Sequence, residues 1–346
     1  MKNRIDLGKF NIRTDLVIDH EIQESNIKKR KVHNIQITTI EVNEELSQEL
    51  DRKPGSYITI EFVDVTNHED KLEIQKCFKE ELEHLLEKKN ITKEDSCFII
   101  GLGNRLSTAD SLGPIALDKI MVTRHLFVLE TDVKKGIRNV SAISPGVMAN
   151  TGIETYDIIT SLVKKIQPEF LIAIDSLASS SIDRINKTIQ ITDTGIHPGS
   201  GIGNNRKEIS QDTIGIPVIA IGVPTVVESS IIVSDTIDYI FKHLSYIKEH
   251  YDANKLVVGH RDSKQYFDSL QAQNLSDDEK KEVSGILGTL DDEKKRELIY
   301  EVLNSIGYNM IVAPKEIDFL IDQLSEVIAG GINQSLHLAV EGNGEI

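Results

Sequence analysis

The sequence predicts an α/β fold: a largely parallel sheet flanked by helices, with a C-terminal helical segment. Three observations predict it. From residue 97 onward, short apolar runs alternate with longer amphipathic stretches, as they do when strands are covered on both faces by helices. The strand candidates are rich in β-branched residues and bounded by Gly, Pro and Asn. Beyond about residue 263 the strand signals stop, and segments with acidic starts suited to the helix dipole take over.

Residues 1 to about 30 carry many charges and no period, as an arm does. Val32 to Val42 and Tyr57 to Val65 read as strands, with a turn signal at Pro54-Gly55 between them. Leu72, Ile74, Cys77, Phe78, Leu82, Leu85 and Leu86 give residues 68 to 90 a helical period. A strand from Cys97 to Leu102 leads through a Gly/Asn loop to a helix starting near Thr108. Leu126 to Leu129 is another apolar run, and Ser144-Pro145-Gly146 is a loop. A helix from Gly152 to Lys165 and a strand from Phe170 to Ile174 follow. Thr188 to Thr192 and Val218 to Gly222 are strand candidates, and Glu228 to Glu249 is a helix. Gly259-His260-Arg261-Asp262 is a plausible boundary. After it, Ser276-Asp-Asp-Glu and Thr289-Leu-Asp-Asp-Glu open tail helices. No repeat suggests a solenoid.

The formal charge of −16 argues against a nucleic-acid binder, because neutralising phosphates takes a basic surface. The one basic run, Lys28-Lys29-Arg30-Lys31, reads as a solvated patch ahead of a strand. No segment approaches the roughly 20 apolar residues of a membrane span, and the N-terminus lacks a secretory apolar region. Cys77 and Cys97 make neither a disulfide framework nor a cysteine-rich zinc site, so a reducing, intracellular compartment is expected.

Chemistry points to two aspartates. Asp110 lies in Gly101-Leu-Gly-Asn-Arg-Leu-Ser-Thr-Ala-Asp110-Ser-Leu-Gly-Pro114, and Asp175 in Phe170-Leu-Ile-Ala-Ile-Asp175-Ser-Leu-Ala. Each follows a buried-looking strand, and α/β proteins collect ligands beyond the carboxyl ends of such strands. The ordinary roles are a first-turn acid behind Ser107 or Thr108 for Asp110, and a turn cap for Asp175. Together, two neighbouring carboxylates can share a proton and activate water, which makes a hydrolase the leading expectation.

The Gly101-Leu-Gly103-Asn104 turn lacks the third glycine of a dinucleotide fingerprint and the lysine of a phosphate loop. His197-Pro-Gly199-Ser-Gly201-Ile-Gly203 offers backbone donors for an anion or a peptide. With Asn104, its residues His197, Gly199 and Gly201 are the candidates for an active-site loop. The ten histidines form no His-Glu-x-x-His motif, so neither a metal nor another cofactor is expected. Nor is there a Gly-x-Ser-x-Gly elbow or an activating motif around either cysteine.

These segments resemble the germination proteases of endospore-forming bacteria, a family of atypical aspartic endopeptidases. The resemblance rests on Gly101-Leu-Gly-Asn with Thr108-Ala-Asp110-Ser-Leu-Gly-Pro, Ile174-Asp175-Ser-Leu-Ala and Thr194-Gly-Ile-His-Pro-Gly-Ser-Gly-Ile-Gly-Asn. It continues into the tail through Leu287-Gly-Thr-Leu-Asp-Asp-Glu-Lys and Ile328-Ala-Gly-Gly-Ile-Asn. It implies a core similar to the hydrogenase-maturation endopeptidases, with Asp110 and Asp175 as catalytic residues. It also implies a zymogen that removes its own N-terminal peptide, the motif Ile12-Arg-Thr-Asp15-Leu16-Val17 placing the cut between Asp15 and Leu16. Val17 stands where the family usually has Ala, and Ala109 where it often has Pro.

By the same resemblance the substrates are the small acid-soluble proteins that coat spore DNA, with no direct nucleic-acid or membrane partner. The enzyme would be a homotetramer in the cytoplasm of the forespore and the spore core, activated by a fall in pH and water content. The implied organisation is a propeptide 1–15, a catalytic α/β domain 16–262, and a helical segment 263–346 packed on it. Two other readings stay open. One is a metal-dependent peptidase of hydrogenase-maturation type, with His197 as the ligand to watch. The other is a non-catalytic binder of basic or DNA-associated partners, which leaves the processing motif without a purpose.

Overall fold

The computed structural model describes residues 14–20, 22, 26–129, 133, 135–198, 206–250 and 275–338. They divide into a main unit, Arg13–Val226 with Ala313–Ile346, and a second unit built on Val227–Val312. The main unit opens with β1 (Ile27–Val32), β2 (Ile35–Val42), α1 (Glu44–Leu50), β3 (Gly55–Glu61) and α2 (His68–Lys88). Next come β4 (Cys97–Gly101), α3 (Leu112–Asp118), α4 (Arg124–Val128), β5 (Val140–Ile143), α5 (Met148–Thr151) and α6 (Thr155–Ile166). The strands β6 (Phe170–Ser179), β7 (Thr188–Thr192) and β8 (Val218–Glu228) follow, with α7 (Gln211–Ile214) before the last. The second unit holds α8 (Ser229–His250), α9 (Asp277–Ser284), α10 (Asp292–Ser305) and β9 (Ile311–Val312), and α11 (Ile317–Leu336) returns to the main unit.

The sheet runs β1-β2-β3-β7-β8-β6-β4-β5. Helices flank it as expected, but the parallel character is narrower than the sequence suggests. β4 pairs parallel with β5 and β6, whereas β1, β2, β3, β7 and β8 are joined by antiparallel pairings. Apolar periodicity marks a strand but not its direction. The hairpin that reverses β1 into β2 turns at His33, a left-handed residue of φ 50° that no Gly or Pro announces.

Alternation along the parallel strands sends successive side chains to opposite faces. Cys97, Ile99, Phe170, Ile172 and Ile174 share a core with the apolar sides of α2, α3 and α11. Phe98, Ile100, Leu171 and Ala173 pack instead with Ile159 and Val163 of α6. Asn67 caps α2 by accepting from the N–H groups of Glu69 and Asp70. The tail contributes to both units: α11 packs on α2 and α3, while α10 packs on α8 in the second unit. The acidic starts there are helix caps, Ser276 and Glu279 forming a capping box and Asp291 accepting from Lys294 N–H. Among the described residues no helix is long and apolar enough to cross a membrane.

Other expectations change locally. Lys28-Lys29-Arg30-Lys31 does not precede a strand; it is most of β1, at the sheet edge, where charged side chains discourage further pairing. Arg30 reaches Glu80 and Glu81 of α2 at 3.5 and 2.6 Å. The run at Leu126 lies in helix α4, and β5, only four residues long, is too short to show a period. The helix expected from Gly152 starts at Thr155, because Gly152 is the left-handed cap that ends α5.

The described end of the supposed arm is docked on the main unit. Leu16 and Val17 are fully buried, Val17 among Ile40, Val42, Leu46, Leu50 and Tyr57. Two residues on, the buried Asp19 carboxylate accepts from Arg184 (2.5 Å), Ser180 N–H (2.8 Å), Ser179 Oγ (3.2 Å) and Thr14 Oγ1 (2.5 Å). A buried carboxylate is tolerated when its oxygens are satisfied in this way, and removing one partner of a buried ion pair is costly. Asp19→Ala should therefore lower stability by about 3 kcal/mol. Thermal unfolding of the purified protein checks this, and an unchanged midpoint would show that the pair does not hold the segment.

Candidate active site

Asp110 is placed by backbone packing that leaves no room for side chains. After β4 the chain turns through Gly103, at φ +105°, where an added Cβ would lie 2.1 Å from the Asp110 carbonyl oxygen. A Cβ on Gly113, in the first turn of α3, would lie 2.3 Å from Leu102 O and 2.6 Å from Ile174 O. Glycine at these positions lets α3 seat on the end of β4 and the middle of β6. Asn104 N–H donates to Asp110 O at 2.8 Å, and Asn104 Oδ1 accepts from Leu106 N–H and Asn150 Nδ2, both at 3.1 Å. Fully buried Thr225, on β8, donates its hydroxyl to Ala109 O at 2.6 Å. Asp110 thus ends a single 3-10 turn, Thr108–Asp110, pinned from three sides.

Asp175 lies within β6 rather than beyond it, since the strand continues to Ser179. It is 5% exposed, and its Oδ1 accepts from Ser176 N–H at 2.9 Å. Burial pushes its carboxyl well above the ordinary carboxylate range, and the negative charges of Asp110 and Asp15 push the same way, against Ser176 N–H and Arg206. Burial also raises Asp110, to about 6, against the pull of the Asn104 backbone N–H and Arg206. Carboxyls that act on each other titrate as a unit, and such a pair can hold one proton between two groups at neutral pH. The hydroxyl of Ser176, next to Asp175, is buried and has no hydrogen-bond partner among the described residues.

The predicted cleavage junction docks further along the same strand. Asp15 N–H donates to Ala178 O (3.0 Å), and Ala178 N–H donates back to Asp15 Oδ2 (2.9 Å). Asp15 also lines a cavity of about 360 Å³ with Arg52, Tyr57, Leu177, Gln190 and His197. His197 faces Glu208 at 3.6 Å, and Glu208 also holds Lys53 at 2.6 Å. Asp110, Asp175, Asn104 and Asp15 therefore form one neighbourhood, with His197 on the wall of the adjoining cavity. Gly199, Gly201 and His260 lie outside the described residues. Among the described residues no group of three or more His, Cys, Asp and Glu is arranged to hold a metal.

Sequence reasoning missed Arg206, Thr225 and Gln190, and it takes Ser176 for a loop residue where the structure has it within β6. Gln190 carried a usable signal, a large amide at the centre of the β-branched run Thr188-Ile-Gln-Ile-Thr192. A buried polar side chain in a strand needs a partner.

Residues 11–345 match the model of a family described as germination protease. A germination protease of Bacillus cereus (strain AH187) is 45% identical over 99% of this chain and 98% of its own length. One from Bacillus thuringiensis subsp. konkukian (strain 97-27) is 44% identical over the same shares. Among solved structures, the [NiFe] hydrogenase maturation protease HycI from Thermococcus kodakarensis KOD1 aligns with a TM-score of 0.26 and 12% identity, over 42% of this chain and 80% of that one. Matched from end to end by its relatives, the chain belongs to the germination protease family and is a peptidase, a hydrolase acting on peptide bonds.

Proposed function

We propose that this protein is an endopeptidase of spore germination, made as a zymogen that cuts itself between Asp15 and Leu16 and using Asp110 and Asp175 to activate water. The observation that carries the reading is the pair of carboxyls formed by half-buried Asp110, in the turn beyond β4, and buried Asp175, within β6, both raised, with the Asp110 and Asp15 charges acting on Asp175. Asp110 ionises first and takes a proton from water as the oxygen attacks the scissile carbonyl carbon. Asp175 stays protonated and donates to the carbonyl oxygen. Collapse of the tetrahedral intermediate returns that proton to Asp175, and the leaving nitrogen takes the one held by Asp110.

The substrates are the small acid-soluble proteins that coat spore DNA, and the working form is a homotetramer in the forespore and spore core. An enzyme of charge −16 suits basic or DNA-associated substrates. Residues 1–15 serve as the propeptide, 16–262 as the catalytic domain and 263–346 as its helical partner. Asp15 docks on Ala178, further along β6 from Asp175, and its charge acts on Asp175, which supports latency by an attached peptide.

Intact-mass analysis of the purified protein after acidification tests the reading. The wild type should lose residues 1–15, while Asp110→Asn and Asp175→Asn should keep them. Cleavage by Asp175→Asn would remove the carboxylate pair, and loss of wild-type processing to a chelator would transfer the chemistry to a metal.

The raised carboxyls also set two pH dependences. For the processed enzyme, kcat/KM on a peptide substrate should fall about tenfold per pH unit below about 6, as Asp110 takes a proton. It should fall again at higher pH as Asp175 ionises, and a profile flat across pH 5–7 would place the base elsewhere. Stability runs the other way. A group whose folded pKa is raised contributes stability that is complete below its ordinary value, 3.8 here, and is lost as pH rises through the folded value. Asp175→Asn, which has no charge to bury, should melt a few degrees above wild type at pH 8, with the gap closing towards pH 4. Equal melting temperatures at pH 8 would show that Asp175 is not held protonated by the fold.

A further inference from the structure

We infer that Gln190 is the residue that aligns the Asp15–Leu16 bond for self-cleavage, gripping the main chain on both sides of Leu16 with its two carboxamide atoms. Gln190 Oε1 accepts from Val17 N–H at 2.9 Å, and Gln190 Nε2 donates to Asp15 O at 3.2 Å. The inference rests on the proposed cut at Asp15–Leu16.

Gln190 sits in the middle of β7, paired with Thr59 on β3 and Gly222 on β8, and is 6% exposed. An amide at that depth costs free energy unless both its oxygen and its nitrogen are satisfied. Both are, and by main-chain atoms of one short segment. A carboxamide presents a donor and an acceptor side by side, as a neighbouring strand's backbone does. Gln190 thus binds the junction as a one-residue strand, while Ala178 of β6 binds Asp15 from elsewhere through backbone N–H and C=O. Leu16, between the two grips, is fully buried.

The grip has chemical content beyond holding. Asp15 O is the oxygen that gains negative charge when water adds to the scissile carbonyl. Gln190 Nε2–H already points at it and can strengthen as that charge develops, and one such donor is worth about 10²–10³ in rate. Leu in its place offers neither contact. Glu keeps the acceptor for Val17 N–H and loses the donor while ionised, but regains an O–H donor when protonated.

The test follows loss of residues 1–15 by intact mass over a pH series for wild type, Gln190→Leu and Gln190→Glu, with circular dichroism and thermal melting confirming folded protein. Gln190→Leu should process about 100-fold more slowly than wild type at every pH. Gln190→Glu should be as slow at neutral pH and recover towards the wild-type rate as pH falls, a recovery that loss of packing alone would not produce. If wild type processes and a folded Gln190→Leu keeps pace with it, the inference is overturned while the proposed function stands. A Glu variant that tracks the Leu variant at every pH also overturns the donor role. If Gln190→Leu fails to fold, the pH dependence of Gln190→Glu decides alone. Should wild type never lose residues 1–15, the self-processing reading falls, and the inference with it.

Discussion

The site depends on how closely a helix can approach the backbone of two neighbouring strands. The carbonyls of Leu102 and Ile174 lie where a side chain on Gly113 would have to be, so α3 begins on the backbone of β4 and β6 with no spacer. That contact fixes where the preceding turn ends, and the turn ends in Asp110. Asp175 follows Ile174 directly. The spacing of the two aspartate Cα positions is therefore set by covalent geometry and main-chain contact. Positioning of this kind resists thermal blurring, because moving either aspartate means moving a strand or the first turn of a helix.

The same closeness makes the carboxylates costly. Burial acts first on both, raising Asp110 to about 6 and Asp175 well above the ordinary carboxylate range, and the charge of Asp110 then adds to the cost on Asp175. Raising a carboxyl by burial costs stability where that group would otherwise ionise, and a pair so placed can keep one group protonated where free aspartates would both be ionised. Thr225, reaching from β8 to Ala109 O, and Asn104, holding Asp110 O, keep the turn in place against that repulsion. Arg206 pulls in the opposite sense on both carboxylates and moderates the shift.

Much of this was legible in the sequence. Cys97–Gly101 and the first half of β6 announced themselves by apolar runs, α2 by its helical period, and both aspartates by standing next to strands in loops of small residues. The antiparallel half of the sheet was not, because alternation says that Ile37 and Ile60 face inward but not which way their strands run. Nor was the length of β6: Asp175 and Ser176 look like a loop, yet the strand runs on through Leu177 and Ala178 to Ser179. The buried state of Asp19 was hidden for a different reason. Its partner Arg184 is 165 positions away, and no local pattern reports a pairing at that range.

Val17, the residue that departs from the family's usual Ala, is explained by where it packs. Its side chain is fully buried among Ile40, Val42 and Leu46, in a core that accepts the branched chain. Relative to Ala it buries roughly two more carbons, worth about 1.6 kcal/mol by transfer. On the proposed cut this residue stays with the body of the protein. Departure of the propeptide would free Thr14 and Asp15 from Arg52, Ala178 and the Nε2 of Gln190. Val17 would keep its place in the core and its N–H on Gln190 Oε1, and Asp19 would stay on Arg184. Among the described residues, the retained side of the junction is thus held by the burial of Leu16 and Val17 and by the Asp19–Arg184 pair. On the proposed cut, the new N-terminus would then stay in register on Gln190, and the buried Val17 side chain would help to keep it there.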